Sequence, residues 1–308
     1  MARKWLAIAI LVAGGAVAFA VHHYRDSTGM RFIRLAPGRD SRCALGVTWR
    51  AIAANTTLWE RINDINDEAN IVQSDPAGFE LIETSAGRFW VPRGNRMGLA
   101  EMIGEQEEDV YGAKVGVHSG DVVLDCGANV GVFTRRALEA GARTVVAIEV
   151  APENIECLRR NFATEAAAGR VIVYPKGVWN KDDVLTLSRS SLSGGDSVAL
   201  KSGSSKAGPQ VPLTTIDKLA AELRLERVDF IKMDIEGAER QALEGARDTL
   251  RRFRPRMAIS MEHKPDDTVV LPATVNRLWP EAVVECGPCT WVHTDYVNHV
   301  APEDLYVR

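Results

Sequence analysis

Four acidic residues each close an apolar run. Asp125 follows Val122-Val123-Leu124, Glu149 follows Thr144 to Ile148, Asp234 follows Phe230-Ile231-Lys232-Met233, and Glu262 follows Met257 to Met261. Short apolar runs bounded by turn signals read as buried strands. When such strands alternate with helices they form a parallel sheet, and ligands bind outside the carboxyl ends of its strands. The pattern therefore predicts one sheet edge that carries four acids. The turn behind the first acid, Gly127-Ala128-Asn129-Val130-Gly131, opens a helical pattern through Phe133, Ala137 and Leu138. Glycine has no Cβ, so a ligand can come close to the backbone there. Glu149 lies 24 residues after Asp125, at the end of the next strand. An acid in that place accepts both hydroxyls of a ribose, which suits an adenosine-bearing cofactor. Asn129 stands where a dinucleotide site would need a second close-packed glycine, so the turn is poor for pyrophosphate. It suits a ligand with a smaller, zwitterionic tail. S-adenosylmethionine is such a ligand, its amino acid moiety meeting Asp125 and the turn amides.

The elements that must position these residues can be read in order. Residues 44–70 carry helical spacing in Leu45, Trp49, Ile52, Leu58, Ile62 and Ile65. Phe79 to Thr84 and Arg88 to Pro92, around Ser85-Ala86-Gly87, give a β-hairpin signal. Leu99 to Tyr111 is a polar, acid-rich helix that feeds into the first core strand, which can bring Glu105 and Tyr111 over the glycine turn. Helices are expected over Pro152–Glu165, from Thr214-Thr215-Ile216-Asp217, with a threonine as N-cap, to about Leu223, and over Glu239–Phe253. Val171 to Tyr174 is a third parallel strand, and Val184 to Leu187 an antiparallel piece. Ser188 to Gln210 reads as a flexible loop or lid, and the tail as one helix and two strands.

Composition narrows the class. The 308 residues are 46% hydrophobic and 25% charged, with a net charge of −4, so no basic field points to nucleic acid. Five scattered cysteines, at 43, 126, 157, 286 and 289, suggest no disulfide framework and a reducing compartment. Cys286-Gly287-Pro288-Cys289 reads as a turn with two incidental thiols. Trp5 to Val21 is a run of 17 residues without a charge. That length can span a membrane. A cleaved signal peptide competes, with Ala18-Phe19-Ala20 as the cleavage signal. Arg25, Arg31, Arg34, Arg39 and Arg42 outweigh the two basic residues before the run, which favours a single-pass anchor with the domain on the cytoplasmic side. The expected division is an anchor over 1–24, a linker with a helical and hairpin extension over 25–98, and the catalytic domain over 99–308.

The ordered motifs Asp125-Cys-Gly-Ala-Asn-Val-Gly131, Ala147-Ile-Glu149 through Asn154, Asn161, Leu213-Thr-Thr-Ile-Asp217, Asp229-Phe-Ile-Lys-Met-Asp234-Ile-Glu-Gly-Ala-Glu239, Leu243-Glu-Gly-Ala246, Arg254-Pro255 and Glu262 resemble the FkbM family of S-adenosylmethionine-dependent methyltransferases. The resemblance covers about residues 99–265, and its most specific part is Lys-x-Asp-x-Glu-Gly-x-Glu. It implies a class I, Rossmann-like α/β fold with a seven-stranded, mostly parallel sheet and helices on both faces. It also implies methylation of a hydroxyl on a small-molecule, glycan or lipid-linked acceptor. The candidate cofactor residues are Glu105, Asp125, Gly127, Asn129, Gly131, Glu149, Asn154 and Gly177.

A hydroxyl acceptor must lose its proton, which calls for a base or a metal. Asp234, Glu236 and His263 are the candidates. In one arrangement Asp234 and Glu262, with Glu236 or His263, bind Mg²⁺ or Ca²⁺ through hard oxygens. In the other, Asp234 orients the acceptor and His263 is the base. Asp234 and Glu236 can both reach the cleft only if the strand has already turned, as Gly237 suggests. Two other functions fit the same fold: a nicotinamide-dependent oxidoreductase, which Asn129 argues against, and a catalytically silent anchored scaffold.

Overall fold

Adjacent residues Val123 and Leu124 point to opposite faces of one strand, and both are fully buried. The same holds for Val145 with Val146 and for Phe230 with Ile231. Strands apolar on both faces need cover on both, and helices supply it. The computed structural model describes residues 40–108, 111, 115–189, 198–201, 209–293 and 298–308. Helix α1 (Leu45–Glu68) leads into strands β1 (Asn70–Ser74), β2 (Phe79–Thr84) and β3 (Gly87–Pro92), then α2 (Arg96–Glu107). The alternating core follows as β4 (Val122–Cys126), α3 (Val132–Glu139), β5 (Thr144–Ile148), α4 (Pro152–Asn161), α5 (Ala163–Ala167) and β6 (Val171–Tyr174). Next come β7 (Gly177–Val178), β8 (Asp183–Arg189), β9 (Val198–Lys201), β10 (Gln210–Thr214) and α6 (Ile216–Glu222). The chain then gives β11 (Phe230–Met233), α7 (Glu239–Glu244), α8 (Arg247–Phe253), β12 (Arg256–Ser260) and α9 (Asp267–Leu278). It ends in β13 (Val284–Cys286), β14 (Cys289–His293), β15 (Asn298–Pro302) and β16 (Asp304–Val307).

The central sheet has seven strands in the order β13-β16-β12-β11-β4-β5-β6. Strands β4, β5, β6, β11 and β12 run parallel, and β16 lies antiparallel between β12 and β13. On one face Leu124, Val146, Ile231 and Met257 pack with Leu219, Leu243, Leu250 and Leu271 of the helices. On the other, Val123, Val145 and Phe230 pack with Phe133 and Ala137 of α3. The order reverses between β4 and β11, and a crevice opens at such a reversal.

The β2–β3 hairpin is held onto this body beside the glycine turn. Asn161 Oδ1 accepts from Trp90 N at 2.6 Å, and its Nδ2 donates to the carbonyls of Trp90 and Val130. Phe89 and Val91 pack with Val130, Val132 and Cys157. Of the two threonines, Thr215 caps α6, its Oγ1 accepting from Lys218 N at 3.0 Å.

Several expectations need correction. Within the segment read as a loop over 188–210, Val198–Lys201 is a strand antiparallel to β8, since Val198 and Leu200 continue a strand alternation. The rest of that segment, 190–197 and 202–208, lies outside the described residues. The tail holds four strands, not two. The helix expected over Glu239–Phe253 breaks at Gly245, where a Cβ would sit 2.0 Å from Trp179 O. The cysteines are not all free: Cys43 and Cys289 form a disulfide across a sequence separation of 246. α1 packs against β14, which brings the two together. The expected anchor over 1–24 lies outside the described residues, and none of the described helices is long and apolar enough to cross a membrane.

Candidate active site

The cleft lies over the carboxyl ends of β4, β5 and β11. Glu105, Gly127, Asn129, Glu149, Asn154, Gly177, Asp234 and Glu236 line one cavity there. Asp125, Gly131, Glu262 and His263 are not on its wall.

Asp125 corrects the expected cofactor contact. It is fully buried beneath the turn. Its Oδ2 accepts from Thr134 Oγ1 at 2.6 Å, and its Oδ1 lies 3.5 Å from Lys232 Nζ. Lys232, 4% exposed, also donates to Gly127 O at 2.8 Å. Burial works against its charge, but Asp125 and then Asp234 outweigh it and raise its pKa. This ion pair underlies the glycine turn and does not touch the cavity through Asp125. Gly131 is likewise structural. Its φ is +96°, and a Cβ would lie 2.2 Å from the Phe162 ring. Gly127 joins two loops: at φ +82°, a Cβ would fall 1.9 Å from Asp234 O.

Glu149 is fixed by backbone. Oε1 accepts from the amides of Val150 (2.7 Å) and Ala151 (2.8 Å), and Oε2 from that of Asn129 (2.8 Å). Burial raises its pKa, and these three amides oppose the rise. Asn129 adopts φ +50°, a left-handed conformation asparagine tolerates. Its buried Oδ1 has no hydrogen-bond partner among the described residues. Gly177 admits a close approach, since a Cβ there would meet Leu213 Cδ2 at 2.5 Å and Val150 Cγ1 at 2.9 Å. Burial pushes the Glu105 carboxyl up to about 8, helped by Glu303, Asp234 and Glu101. Glu105 therefore presents a neutral, proton-donating carboxyl to the cleft at pH 7.

At the other end of the cleft β11 stops at Met233, and the chain turns through Glu236 (φ +57°) and Gly237 (φ +90°). That turn puts both Asp234 and Glu236 on the cavity wall. Tyr111 Oη donates to Asp234 Oδ2 at 2.9 Å. Burial acts to raise the Asp234 pKa, but Lys232, His263 and Tyr111 outweigh it and hold the carboxylate ionised. His263 is 6% exposed and stands behind Asp234. Burial opposes its charge, yet Glu239, Asp234 and Glu262 hold its pKa well above the ordinary range. The Glu239 and Asp234 carboxylates beside the ring favour the protonated form of His263, which weighs against its expected role as a free base. Glu262 is corrected as well. Burial and Glu303 drive its pKa well up, and it shares a hydrogen bond with Glu303.

The Methyltransferase FkbM domain matches residues 125–279, half of the chain. This chain belongs to the FkbM methyltransferase family. Its fold is methyltransferase-like, an α/β architecture with a seven-stranded mixed sheet. No curated protein matches the FkbM chain. Among solved structures it is similar to the FkbM methyltransferase of Methylobacillus flagellatus, at 18% identity and a TM-score of 0.46, covering 83% of this chain. The FkbM chain spans 60% of the length of that protein. It is also similar to M. jannaschii TYW2 in complex with AdoMet, at 13% identity and a TM-score of 0.38, covering 77% of this chain and 87% of that one. A putative RNA methyltransferase of Pyrococcus horikoshii gives 14% identity and a TM-score of 0.35, covering 82% and 97%.

Four participants carry no role in the sequence pattern. In the sequence Lys232 is only part of a strand and of the Lys-x-Asp motif. Glu239 lay in the quoted motif without a role. Glu303 and Asp304 reach the acid cluster because β16 runs antiparallel beside β12, and no local signal at the chain end announces that pairing.

Proposed function

We propose that this chain transfers the methyl group of S-adenosylmethionine to a hydroxyl oxygen of a small-molecule, glycan or lipid-linked acceptor. One observation carries the reading: Glu149, locked by three amides, shares a cavity with Asp234 and Glu236. A ribose-binding acid and an acceptor-facing pair of acids on one wall suit a nucleoside donor and a nucleophile. Asn129, with its partnerless Oδ1, and the neutral Glu105 supply an acceptor and a donor for polar groups of the amino acid tail. S-adenosylmethionine supplies an electrophilic methyl on a sulfonium. The chain's own task is alignment, which contributes much of the acceleration in such reactions. Asp234, kept ionised and fixed by Tyr111, orients the acceptor hydroxyl. Glu236 at the cleft mouth receives its proton. The turn's Asn129 weighs against a nicotinamide cofactor.

For location, the sequence supports residues 5–21 as a membrane anchor, which makes a membrane-proximal acceptor the proposal. The side of the membrane is a second question. Charge bias supports a cytoplasmic domain, while the Cys43–Cys289 disulfide supports the oxidising side. Protease accessibility in intact cells decides between them. The function is tested by incubating the chain with labelled methyl donor and membrane or soluble extracts, then identifying the product. An O-methylated product is expected. A chain that binds the donor and labels nothing in either extract is a silent scaffold.

A further inference from the structure

Helix α1 carries an apolar stripe that β14 and β15 cover only in its middle. Leu45, Trp49, Ile52 and Trp59 fall within about 80° of arc at 3.6 residues per turn. Ile52 is fully buried with Val300, and Trp291 packs against them. On either side of it Leu45 is 52% exposed, Trp49 46% and Trp59 44%. Arg42 joins the start of this helix to α9, its Nη1 donating to Thr268 O at 2.6 Å. The next residue, Val269, is 66% exposed. Asp40 N donates to Val300 O at 2.8 Å, and the Cys43–Cys289 disulfide fixes the same corner. Exposed apolar residues scattered singly need no explanation, but Leu45, Trp49 and Val269 gather round one corner. That corner has a definite place in the fold. β12 ends at Ser260 and α9 begins at Asp267. Thr268 and Val269 therefore lie at the carboxyl ends of the parallel strands, the end on which the cleft opens.

We propose that Leu45, Trp49 and Val269 seat this corner on an anionic lipid surface, with the cleft end of the sheet towards the membrane. The occupant follows from the chain that enters here. Residues 22–39 carry Arg25, Arg31, Arg34 and Arg39 against one acid, Asp26, and they follow the uncharged run Trp5–Val21. Fully extended, that linker reaches about 60 Å. With the run inserted, the corner is held within that distance of the surface, so contact with lipid becomes intramolecular and a weak attraction suffices. Arginines beside an anchor are drawn to anionic headgroups. Tryptophan collects at the membrane–water interface, as Trp49 would. Arg50 is exposed beside it, whereas Asp64, Asp67 and Glu68 are exposed at the other end of α1. Charge thus suits the N-terminal half of the helix to such a surface and keeps the far end in water.

The seat rests on the anchor reading above and deepens it. A cleft held towards the headgroups favours a lipid-linked acceptor over a small molecule taken from bulk water.

The test places the full chain in vesicles of phosphatidylcholine and phosphatidylglycerol with brominated acyl chains, which quench tryptophan on contact. Two variants add a reporter at an exposed valine. Val269→Trp stands at the corner. Val184→Trp stands on β8, beyond the edge strand β6 at the other flank of the sheet. The emission added by Val269→Trp is expected to be mostly lost, and that added by Val184→Trp to be kept. Trp49→Phe should shrink the quenchable share of the wild-type emission. Equal quenching of the two added tryptophans overturns the proposal, as does a quenchable share that Trp49→Phe leaves unchanged. So does a chain that fails to join the vesicles. Quenching that persists undiminished without phosphatidylglycerol overturns the anionic surface. A concentration-dependent dimer in detergent, with Val269→Trp unquenched in vesicles, assigns the corner to a second copy of the chain instead. S-adenosylhomocysteine binding on the same vesicles separates the two readings: a quenched corner without binding leaves the lipid seat standing and sinks the cofactor reading.

Discussion

Gly127→Ala tests whether the glycine turn and the Asp234 loop are one packed unit. The added Cβ would lie 1.9 Å from Asp234 O, 3.0 Å from its carbonyl carbon and 3.3 Å from Ile235 Cγ2. A carbon–oxygen contact needs more than 3 Å, so one loop must retreat by about 1 Å. Two costs add. A left-handed backbone costs alanine about 1–2 kcal/mol. Overpacking a tight site costs about 1–3 kcal/mol more. Gly94→Ala is the control, because Gly94 has φ +83° and nothing within 4 Å of its added Cβ. It carries the backbone cost without the clash. Denaturant unfolding should therefore rank Gly127→Ala below Gly94→Ala by about 1–3 kcal/mol. A retreat of that size beside the reacting groups should also lower turnover by about 100-fold. Equal stability of the two variants, with unchanged cofactor affinity, would refute the packed-unit reasoning.

Glu149→Ala should cut S-adenosylhomocysteine affinity by at least about 100-fold in calorimetry, since two hydrogen bonds to a carboxylate are lost at about 1.5 kcal/mol or more each. Glu105 gives a pH signature. Its folded pKa of about 8 lies above the ordinary value of 4.5, so its contribution to stability is complete below pH 4.5 and is lost as pH rises through 8. Unfolding curves across that window should show the decline, and Glu105→Gln should flatten it. Cys43→Ser should lower stability by about 2–4 kcal/mol, because the bridge closes a very long loop, and reduction of the wild-type chain should reproduce the loss.

The edge of four acids was legible because each acid closes an apolar run, and the parallel sheet brings such ends together whatever the intervening sequence. The hairpin at 79–92 was legible for a similar reason: its alternation and Gly87 turn are local. What lay hidden depends on contacts distant in sequence. Asp125 looks like a ligand contact from its place in the motif, yet Lys232, 107 residues on, takes it beneath the turn. His263 looks like a base until Glu239 and Asp234 are seen on either side of the ring. Cys43 and Cys289 meet only because α1 packs on β14. The pairing of β16 with β12, which brings Glu303 beside Glu262, likewise has no counterpart in the local pattern.

The central claim is that the cavity shared by Glu149 and Asp234 takes S-adenosylmethionine. Calorimetric titration of the full chain with S-adenosylmethionine, and separately with NAD, tests it most directly. The account predicts saturable, one-to-one binding of S-adenosylmethionine that Glu149→Ala abolishes, and no binding of NAD. Binding of NAD in its place, or S-adenosylmethionine binding indifferent to Glu149, would contradict it.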